Sequence, residues 1–230
     1  MIAINKINQL YGSSQILWDL DLQIEQGSCT CIMGRNGVGK TTLLKCLMGL
    51  LPISSGEILL EGVPMHNKLA EDRAPAGIGY VPQGRDIFPL LTVEENLRIA
   101  LPVRRDKAKQ VPDKIFELFP VLHDMLARRG GDLSGGQQQQ LAIARALVID
   151  PKVLILDEPN EGIQPNIVQQ IGDVILKLNA EGLTVILVEQ KLGFARRVGK
   201  EFRLMERGRI VASDKMENLS DELIRQYMSV

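Results

Sequence analysis

The sequence predicts an α/β fold in which a parallel sheet is covered by helices on both faces. Three observations predict it. Strand-sized apolar runs alternate with helix-sized segments along most of the chain, a glycine-rich turn joins one such strand to one such helix, and runs such as "VLIL" are continuously apolar. A stretch in the middle of the chain departs from this alternation and is richer in helix.

The first third of the chain supplies most of the predicted strands. Alternating apolar residues in "IAINKI" and "LDLQIE" predict two half-buried strands, and "SCTCIM" predicts a third strand that ends at Gly34. After the glycine-rich turn, "TTLLKCLMGLL" predicts a helix that is stopped by Pro52. The runs "GEILLEG" and "IGYVPQ" predict two more strands.

The middle of the chain is predicted to be helical. Thr92 and Glu95 form a capping-box pattern that opens the helix "VEENLRIAL", and Pro112 can start a second helix, "DKIFELF". The run "VLHDMLARR" predicts a third helix. We therefore predict one domain over residues 1–230, with a core formed by 1–86 and 151–230 and a helical subdomain over 87–150.

The last third returns to strands alternating with helices. The run "KVLILDEP" predicts a buried strand, and Pro165 is expected to open a helix that ends near Gly182. The run "TVILVEQ" predicts the next strand, and Gly208 predicts a tight turn within "LMERGRIVA".

Composition favours a soluble protein without nucleic-acid or zinc chemistry. The chain is 45% hydrophobic and 24% charged, and no apolar run approaches the roughly 18 residues of a membrane span. The N-terminal sequence predicts no secretion signal. A net charge of −1 argues against binding a nucleic-acid backbone. Cys29, Cys31 and Cys46 lack paired spacing, so we expect reduced, packed cysteines in a cytosolic protein.

The glycine-rich turn has the pattern of a phosphate-binding loop. "GRNGVGKTT" matches G-x-x-x-x-G-K-[ST] at Gly34, Gly39, Lys40 and Thr41, and it lies between a predicted strand and a predicted helix. Glycines allow backbone N–H groups to approach phosphate oxygens, and the helix turns its positive end toward them. Lys40 is expected to neutralise phosphate charge, and the Thr41 hydroxyl is expected to ligate Mg²⁺.

Two adjacent carboxylates end the strand "VLIL". Asp157 and Glu158 follow four apolar residues directly, and carboxylates in that position are costly unless a cation compensates them. In a parallel sheet this strand end faces the phosphate loop. Asp157 is therefore expected to hold Mg²⁺ through water, and Glu158 to polarise an attacking water.

A very polar string, "LSGGQQQQ", comes immediately before the helix-like run "LAIARALVI". The chain also contains "GRNGVGKTT", "YVPQG" around Gln83 and "VLILDE", and all four motifs occur in the order that is typical of an ATP-binding cassette (ABC) ATPase. Nearly the whole chain therefore resembles that family. Such proteins have a P-loop NTPase (RecA-like) parallel-sheet core, an N-terminal antiparallel β part and an inserted α-helical subdomain. "LSGGQ" is the most specific of these motifs, because it separates the family from other P-loop proteins.

The resemblance implies the cofactors ATP and Mg²⁺ and assigns a role to each motif residue. It implies catalytic roles for Glu158, Gln190 and Lys40, and metal ligation by Thr41, Gln83 and Asp157. Nucleotide contacts are implied for Tyr11, which would stack on adenine, and for Gly34, Arg35, Asn36, Gly37, Val38, Gly39, Lys40, Thr41 and Thr42. In the family, two cassettes pack head to tail, so Ser134, Gly135, Gly136 and Gln137 are expected to serve the ATP bound by the partner.

The resemblance also implies partners and a location. The expected partners are a second cassette, either a paralogous subunit or, in isolation, a copy of this chain, and transmembrane permease subunits. A periplasmic substrate-binding protein takes part indirectly. The chain is then peripheral on the cytoplasmic face of the inner or plasma membrane, and soluble when isolated. ATP is expected to join the two cassettes and hydrolysis to separate them.

Three residues depart from the common pattern of the family. Gln190 stands where most cassettes have a histidine, Gln164 replaces an aspartate, and Asn160 replaces threonine or serine. Gln190 can donate a hydrogen bond but cannot relay a proton, so we hypothesise that the two ATP sites of the dimer are unequal. "LVEQ", "EGIQPNIV" and "RDIFPLLTVEENL" resemble importers of branched-chain amino acids, and "GGDLSGGQQQQLAIARALV" resembles their urea and short-amide branch.

Two alternatives of other classes stay open on the sequence alone. The first is a soluble cassette ATPase without a membrane partner, although the chain has neither fused cassettes nor a long coiled coil. The second is a regulatory cassette with weak hydrolysis, which Gln190 and Gln164 leave room for. A further choice concerns the apolar residues after Gln83, which either line a groove for a permease helix or form the helical lobe's own core: Ile87, Phe88, Leu90 and Leu91.

Overall fold

The computed structural model describes residues 1–228, so the last two residues of the predicted domain lie outside the described residues. The strands are β1 (Ile2–Tyr11), β2 (Ser14–Ile24), β3 (Cys29–Met33), β4 (Ser55–Leu60), β5 (Val63–Pro64), β6 (Ile78–Val81), β7 (Val153–Asp157), β8 (Thr184–Val188), β9 (Glu201–Glu206) and β10 (Arg209–Lys215). The α-helices are α1 (Lys40–Leu47), α2 (Val93–Arg98), α3 (Asp113–Leu118), α4 (Pro120–His123), α5 (Gly135–Val148), α6 (Pro165–Ala180), α7 (Leu192–Val198) and α8 (Asp221–Tyr227).

A six-stranded sheet forms the centre of the molecule, with the strand order β10-β9-β3-β8-β7-β6. Strands β9, β3, β8, β7 and β6 run parallel to their neighbours, and β10 returns antiparallel from β9. A second, antiparallel sheet has the order β2-β1-β4-β5. The predicted architecture is therefore confirmed: a parallel core, an N-terminal antiparallel part and inserted helices.

Strands β3, β7 and β8 of the central sheet are buried along their whole length, which explains why they are apolar without alternation. Leu154 and Leu156 of β7 point into a core shared with the helices of the middle region, together with Cys29 and Cys31 of β3. The residues between them along each strand, such as Ile155, belong to a second core that includes α1 and the antiparallel sheet. The expected packing of the "CTC" cysteines is confirmed, since all three cysteines are buried and free.

Helices α2 to α5 occupy the middle of the chain, as predicted. Thr92 accepts from the Glu95 N–H, and the Glu95 carboxylate accepts from the Thr92 N–H at 2.8 Å, which is the predicted capping box. Helix α3 follows Pro112 directly. Helix α5 begins within the polar string, six residues before the predicted apolar run.

The predicted helix "VLHDMLARR" is wrong beyond its first turn. Helix α4 ends at His123, and the chain then crosses the start of α2. There the carbonyl oxygens of Leu126 and Arg128 accept from the backbone N–H groups of Glu94 and Val93, at 3.1 and 2.8 Å. These N–H groups have no partner within α2, so tertiary contact satisfies them at the expense of a longer α4.

Other boundaries differ by a few residues. Helix α1 ends at Leu47 rather than at Pro52, because Gly49 takes a left-handed backbone with φ of +68°. Strand β2 starts at Ser14, earlier than predicted, and α2 stops at Arg98 before a short 3₁₀ turn. Helices α7 and α8 had no predicted counterpart. Over the described part of the chain, none of the helices has the length and hydropathy needed to cross a membrane.

A test of the fold compares two glycines with similar strained backbones. Gly208 has φ of +74°, and an added Cβ would lie 1.9 Å from the Ile16 carbonyl oxygen; Gly62 has φ of +78° but no atom within 4 Å. Gly62→Ala should cost about 1–2 kcal/mol of unfolding free energy through backbone strain. Gly208→Ala should cost at least about 2 kcal/mol more, because β2 and the β9–β10 turn must separate. Urea unfolding measures both, and equal losses would contradict this packing.

Candidate functional site

The register of the central sheet brings four chain segments to one edge. Ile32 of β3 pairs with Val188 of β8, which pairs with Asp157 of β7, and Leu156 of β7 pairs with Val81 of β6. Because these strands are parallel, the residues that follow them emerge side by side. The glycine-rich loop, Glu158, Gln190 and Gln83 are therefore neighbours at this edge.

Glycines let the loop pack closely against β9 on one side and leave its other side open. Gly34 has φ of +149°, and an added Cβ would lie 2.3 Å from the Met205 carbonyl oxygen of β9. Gly37 has φ of +79°, and no atom lies within 4 Å of where its Cβ would be. The loop thus rests against β9 with its outer face free. Backbone N–H groups on that face can approach an anion at the start of α1.

Lys40 is held inside the loop. Its Nζ donates to the carbonyl oxygens of Gly34 and Arg35, at 2.9 and 2.8 Å, and the residue is only 5% exposed. Burial lowers the pKa of Lys40, while the carboxylates of Glu158 and Asp157 oppose that shift. The ammonium group is therefore placed beneath the loop and facing the two carboxylates, where an anion's charge would stabilise it.

Asp157 is a buried carboxylate beside the Thr41 hydroxyl. The residue is 1% exposed, and neither carboxylate oxygen has a partner at ordinary hydrogen-bond geometry among the described residues. Burial raises the pKa of Asp157 to about 6, with Glu158 adding to the rise and the Thr41 hydroxyl and Lys40 opposing it. Unsatisfied carboxylate oxygens beside a hydroxyl are ligands that suit a hard divalent cation or its water shell. The donor set at Asp157 and Thr41 therefore fits Mg²⁺.

Glu158 is held by Gln190. The Gln190 Nε2 atom donates to Glu158 Oε1 at 2.5 Å and to Asn36 Oδ1 at 2.7 Å, so one amide joins the glycine-rich loop to the carboxylate. Glu158 itself has a left-handed backbone, with φ of +48°. Such a conformation at a residue with a side chain persists only when its surroundings enforce it.

Gln83 reaches the same site but contacts a residue that the sequence did not single out. Its Nε2 donates to Glu161 Oε2 at 2.9 Å, and its amide oxygen is left as a possible metal ligand. Tyr11 lies at the end of β1, where it pairs with Ser14 in a hairpin and is 46% exposed.

The site forms a cavity of about 720 Å³. Its lining includes seven of the predicted site residues besides Lys40 and Glu158: Asn36, Gly37, Gly39, Thr41, Thr42, Gln83 and Gln190. Four other lining residues were missed: Ile16, Glu161, Glu189 and Lys191. Glu189 had a usable signal, since it follows the buried run "TVILV" as Asp157 follows "VLIL". Nothing local marks Glu161 or Ile16.

The remaining predicted residues do not line this cavity. They are Tyr11, Gly34, Arg35, Val38 and Asp157, together with the string residues Ser134, Gly135, Gly136 and Gln137. Ser134 caps α5: its hydroxyl oxygen accepts from the Gln137 N–H, and Gln137 Oε1 accepts from the Ser134 N–H. The cap uses the Ser134 oxygen only as an acceptor, which leaves its O–H able to donate elsewhere.

The two glycines of the string also have contacts within the chain. An added Cβ at Gly136 would lie 2.9 Å from Ile167 of α6, and one at Gly135 would lie 3.3 Å from the Arg85 guanidinium. The sequence had offered no intramolecular reason for these glycines. Close packing of α5 against α6 supplies one for Gly136, beside the expected contact with a partner's nucleotide.

Comparison with known proteins gives a consistent result. A model of the family described as "ABC transporter" matches residues 17–161. The high-affinity branched-chain amino acid transport ATP-binding protein BraG of Pseudomonas aeruginosa is 40% identical over 215 residues, which cover 93% of this chain and 92% of that protein. The probable branched-chain amino acid transport ATP-binding protein LivF of Archaeoglobus fulgidus is 40% identical over 212 residues, covering 91% and 90%.

A solved structure is similar over almost the whole fold. It is a dimeric post-hydrolysis state of an ATP-binding cassette bound to ADP and Pi, with a TM-score of 0.84 and 25% identity. The similarity covers 94% of this chain and 99% of that chain.

The buried carboxylate predicts an unusual pH dependence of stability. Because the pKa of Asp157 is about 6 in the folded chain and about 3.8 when unfolded, the folded chain binds more protons between these values. Stability should therefore fall as pH rises from about 4 to about 6. Asp157→Asn should remove that fall and be more stable than wild type by about 2–3 kcal/mol at pH 8, without nucleotide.

Urea unfolding at pH 4.5 and pH 8 measures this difference. Asp124→Asn is the matched control, because the Asp124 side chain is 80% exposed. We expect the stability gain of Asp157→Asn over wild type to be larger at pH 8 than at pH 4.5. A gain of the same size at both pH values would contradict the inferred burial of charge.

Proposed function

The chain belongs to the ABC transporter family, and from that membership we propose that it is the ATP-binding and ATP-hydrolysing subunit of an importer. The observation that carries the proposal is the placement of Glu158 in one cavity with Lys40 and Thr41 of the glycine-rich loop. A base beside a phosphate-binding loop suits hydrolysis, whereas binding alone needs only the loop.

Each residue at this edge has a distinct task in ATP binding. The N–H groups of the loop and the start of α1 bind the phosphates, and Lys40 turns its ammonium group toward them. Asp157 and Thr41 would hold Mg²⁺, with Gln83 offering its amide oxygen. When bound, Mg²⁺ neutralises charge on the phosphate oxygens. Tyr11 offers a ring for adenine at the end of β1.

Glu158 is proposed to orient and deprotonate the attacking water. Its Oε1 accepts from Gln190, which leaves the second carboxylate oxygen to accept from water. Gln190 cannot take up a proton, so in this proposal it only orients Glu158. A site built this way differs from one with a histidine at that position, which supports the hypothesis that the two sites of a mixed dimer are unequal.

The catalytic site is proposed to be completed by a second cassette. Ser134 to Gln137 do not line the cavity of their own chain, yet they present the Ser134 O–H, which the cap does not use as a donor, and the α5 N-terminus, and both suit an anion. The similar solved cassette is dimeric. We infer that this chain pairs head to tail with a paralogous subunit, or with itself when isolated.

The proposed cargo is a branched-chain amino acid or, as the finer prediction, urea or a short amide. Support for the amino acids comes from BraG and LivF, whose names describe branched-chain amino acid transport. The urea branch rests on motif resemblance alone. A cassette does not touch the cargo, so transport by the assembled importer with each candidate solute decides between them.

The segment after Gln83 is proposed to contact the permease at the cytoplasmic face of the membrane. Three of the four apolar residues there divide between the two alternatives. Ile87 packs against the core of the helical region, whereas Phe88 is 44% and Leu90 is 79% exposed. The Phe88 ring is held 5.0 Å from the Arg145 guanidinium of α5. Exposed apolar side chains on a fixed segment suit a short helix of a permease subunit.

Replacement of Glu158 tests the proposed base. Glu158→Gln should lower ATP hydrolysis at least about 100-fold, because the base is lost, while ATP affinity changes little. An ATP-bound dimer should accumulate and be visible by size-exclusion chromatography. Glu71→Gln, at an exposed glutamate outside the site, is the control.

The divided site has its own test in the same assay. Hydrolysis per wild-type chain should rise steeply with chain concentration, because a monomer lacks the second half of the site. A rate independent of chain concentration down to the monomeric range would show that the site is complete within one chain.

Replacement of Phe88 tests the proposed docking segment. Phe88→Ala should lower the unfolding free energy of the isolated chain by no more than about 1.5 kcal/mol, because the ring is half exposed and contributes mainly its contact with Arg145. Assembly with the permease, measured by co-purification from membranes, should fall markedly. Ile87→Ala is the contrasting variant and should destabilise the isolated chain more. A large loss of stability in Phe88→Ala would instead assign the ring to the core.

A further inference from the structure

Glu189 is a buried carboxylate placed one residue before Gln190. The residue is 3% exposed and comes directly after β8. Ionised groups at such depth require strong hydrogen-bond donors around them. The motifs of the sequence assign no role to Glu189, and the hydrolysis described above does not use it.

Three N–H donors surround the carboxylate of Glu189. Its Oε1 accepts from the backbone N–H groups of both Gln190 and Lys191, each at 2.8 Å. Its Oε2 accepts from Asn160 Nδ2 at 2.7 Å, and Asn160 is fully buried. One oxygen thus fixes two successive peptide groups, and the other fixes the segment that follows Glu158.

The contacts close a ring around the proposed base. Glu189 binds Asn160, which lies two residues after Glu158, and Gln190 binds the Glu158 side chain at 2.5 Å. Lys191 adds a second link, because its Nζ donates to the Asn160 carbonyl oxygen at 2.8 Å. The backbone of Glu158 also bonds to β8 through the Val188 carbonyl oxygen at 2.9 Å.

Gln190 depends on this ring for its position. Its Nε2 atom uses both hydrogens, one for Asn36 and one for Glu158, so the amide has to lie between two fixed acceptors. A glutamine side chain is long and flexible, so holding it between two acceptors costs conformational entropy. A fixed backbone at Gln190 lowers this cost, because the side chain then starts from one position. That placement is set where Glu189 binds the N–H groups of Gln190 and Lys191.

We propose that Glu189 is a positioning residue for ATP hydrolysis, which acts through Gln190 to hold Glu158 in its reactive orientation. The proposal rests on the proposed function. It also links two segments that both border the cavity, because displacement of Asn160 would displace Gln190 through Glu189. The ring is hydrogen-bonded to the glycine-rich loop through Gln190 and Asn36, so we expect replacement of Glu189 to change ATP affinity little.

The test uses the full-length chain in single-turnover hydrolysis of ATP, with Glu189→Ala, Gln190→Ala and the double variant. Each single variant should lower the rate about 10- to 100-fold, as expected when a reacting group is misplaced. The double variant should lie within about twofold of the slower single variant, because Glu189 acts through Gln190. The dissociation constant of a fluorescent ATP analogue should change less than about threefold.

A reversed pair provides a control that keeps the side chains nearly isosteric. Asn160→Asp alone places two carboxylates in contact and should slow hydrolysis strongly. Adding Glu189→Gln supplies an amide donor toward the new carboxylate and an amide oxygen toward the two backbone N–H groups. Hydrolysis in Asn160→Asp/Glu189→Gln should therefore recover to within about tenfold of wild type.

Each outcome decides the proposal. The proposal is overturned if the rate losses of Glu189→Ala and Gln190→Ala multiply in the double variant. It is also overturned if Glu189→Ala hydrolyses ATP at the wild-type rate, or if its ATP affinity falls by the same factor as its rate. If Glu189→Ala does not fold, the reversed pair decides, and no recovery over Asn160→Asp overturns the proposal. Glu158→Gln in the same assay distinguishes failure of the proposed function from failure of the positioning role. If Glu158→Gln hydrolyses ATP like wild type, the proposed function itself is refuted, and the positioning role with it.

Discussion

The hydrogen-bonded register of the parallel sheet is the constraint on which the site depends. Pairing of Ile32 with Val188, and of Val188 with Asp157, fixes the heights at which three strands end. A shift of one residue in β7 would turn Asp157 from one face of the sheet to the other and separate it from the loop. The apolar residues of these strands enforce the register, since both faces are buried.

The same edge concentrates negative charge beside a single buried ammonium group. Asp157, Glu158, Glu161 and Glu189 all lie within or beside the cavity that Lys40 borders. Without a ligand, the pKa of Asp157 is raised and that of Lys40 is lowered, so both groups are less stable in their charged forms than in water. A polyanion bound with a divalent cation supplies the missing partner for each. The site thus gains most from the combined ligand, which fits a nucleotide bound with Mg²⁺.

The segment after Gln83 connects this edge to the helical region. Gln83 donates to Glu161 on the core side, and Arg85 donates to Gln138 of α5 at 3.1 Å. Arg145 of α5 donates to the Asp86 carbonyl oxygen at 2.6 Å. These bonds join the segment after Gln83 to the helix that carries Ser134 at its start. This connection suits an ATPase whose nucleotide site and partner surfaces have to move together.

The sequence by itself determined most of the element types, the glycine-rich loop and the carboxylates at the strand end, because each depends on a local pattern. A run such as "VLIL" needs burial on two faces, and a capping box needs only residues three apart. Gln190 was identified through the resemblance to ABC ATPases, because it stands where most cassettes have a histidine. A local sequence pattern does not predict which hydrogen-bond partners these residues have in the folded chain.

The tertiary structure alone decided the end of α4, the contact of Gln83 and the ring around Glu158. Residues 126–128 leave the helix because their carbonyl groups bind the start of α2, which is more than 30 residues away in sequence. Glu161 and Glu189 are two of the 28 acidic residues, and only folding shows that one meets Gln83 and the other is buried beneath Gln190. Nothing local marks Glu161, and the apolar run before Glu189 indicates a strand end but not its partner, because Gln83 and Asn160 lie in distant segments of the chain.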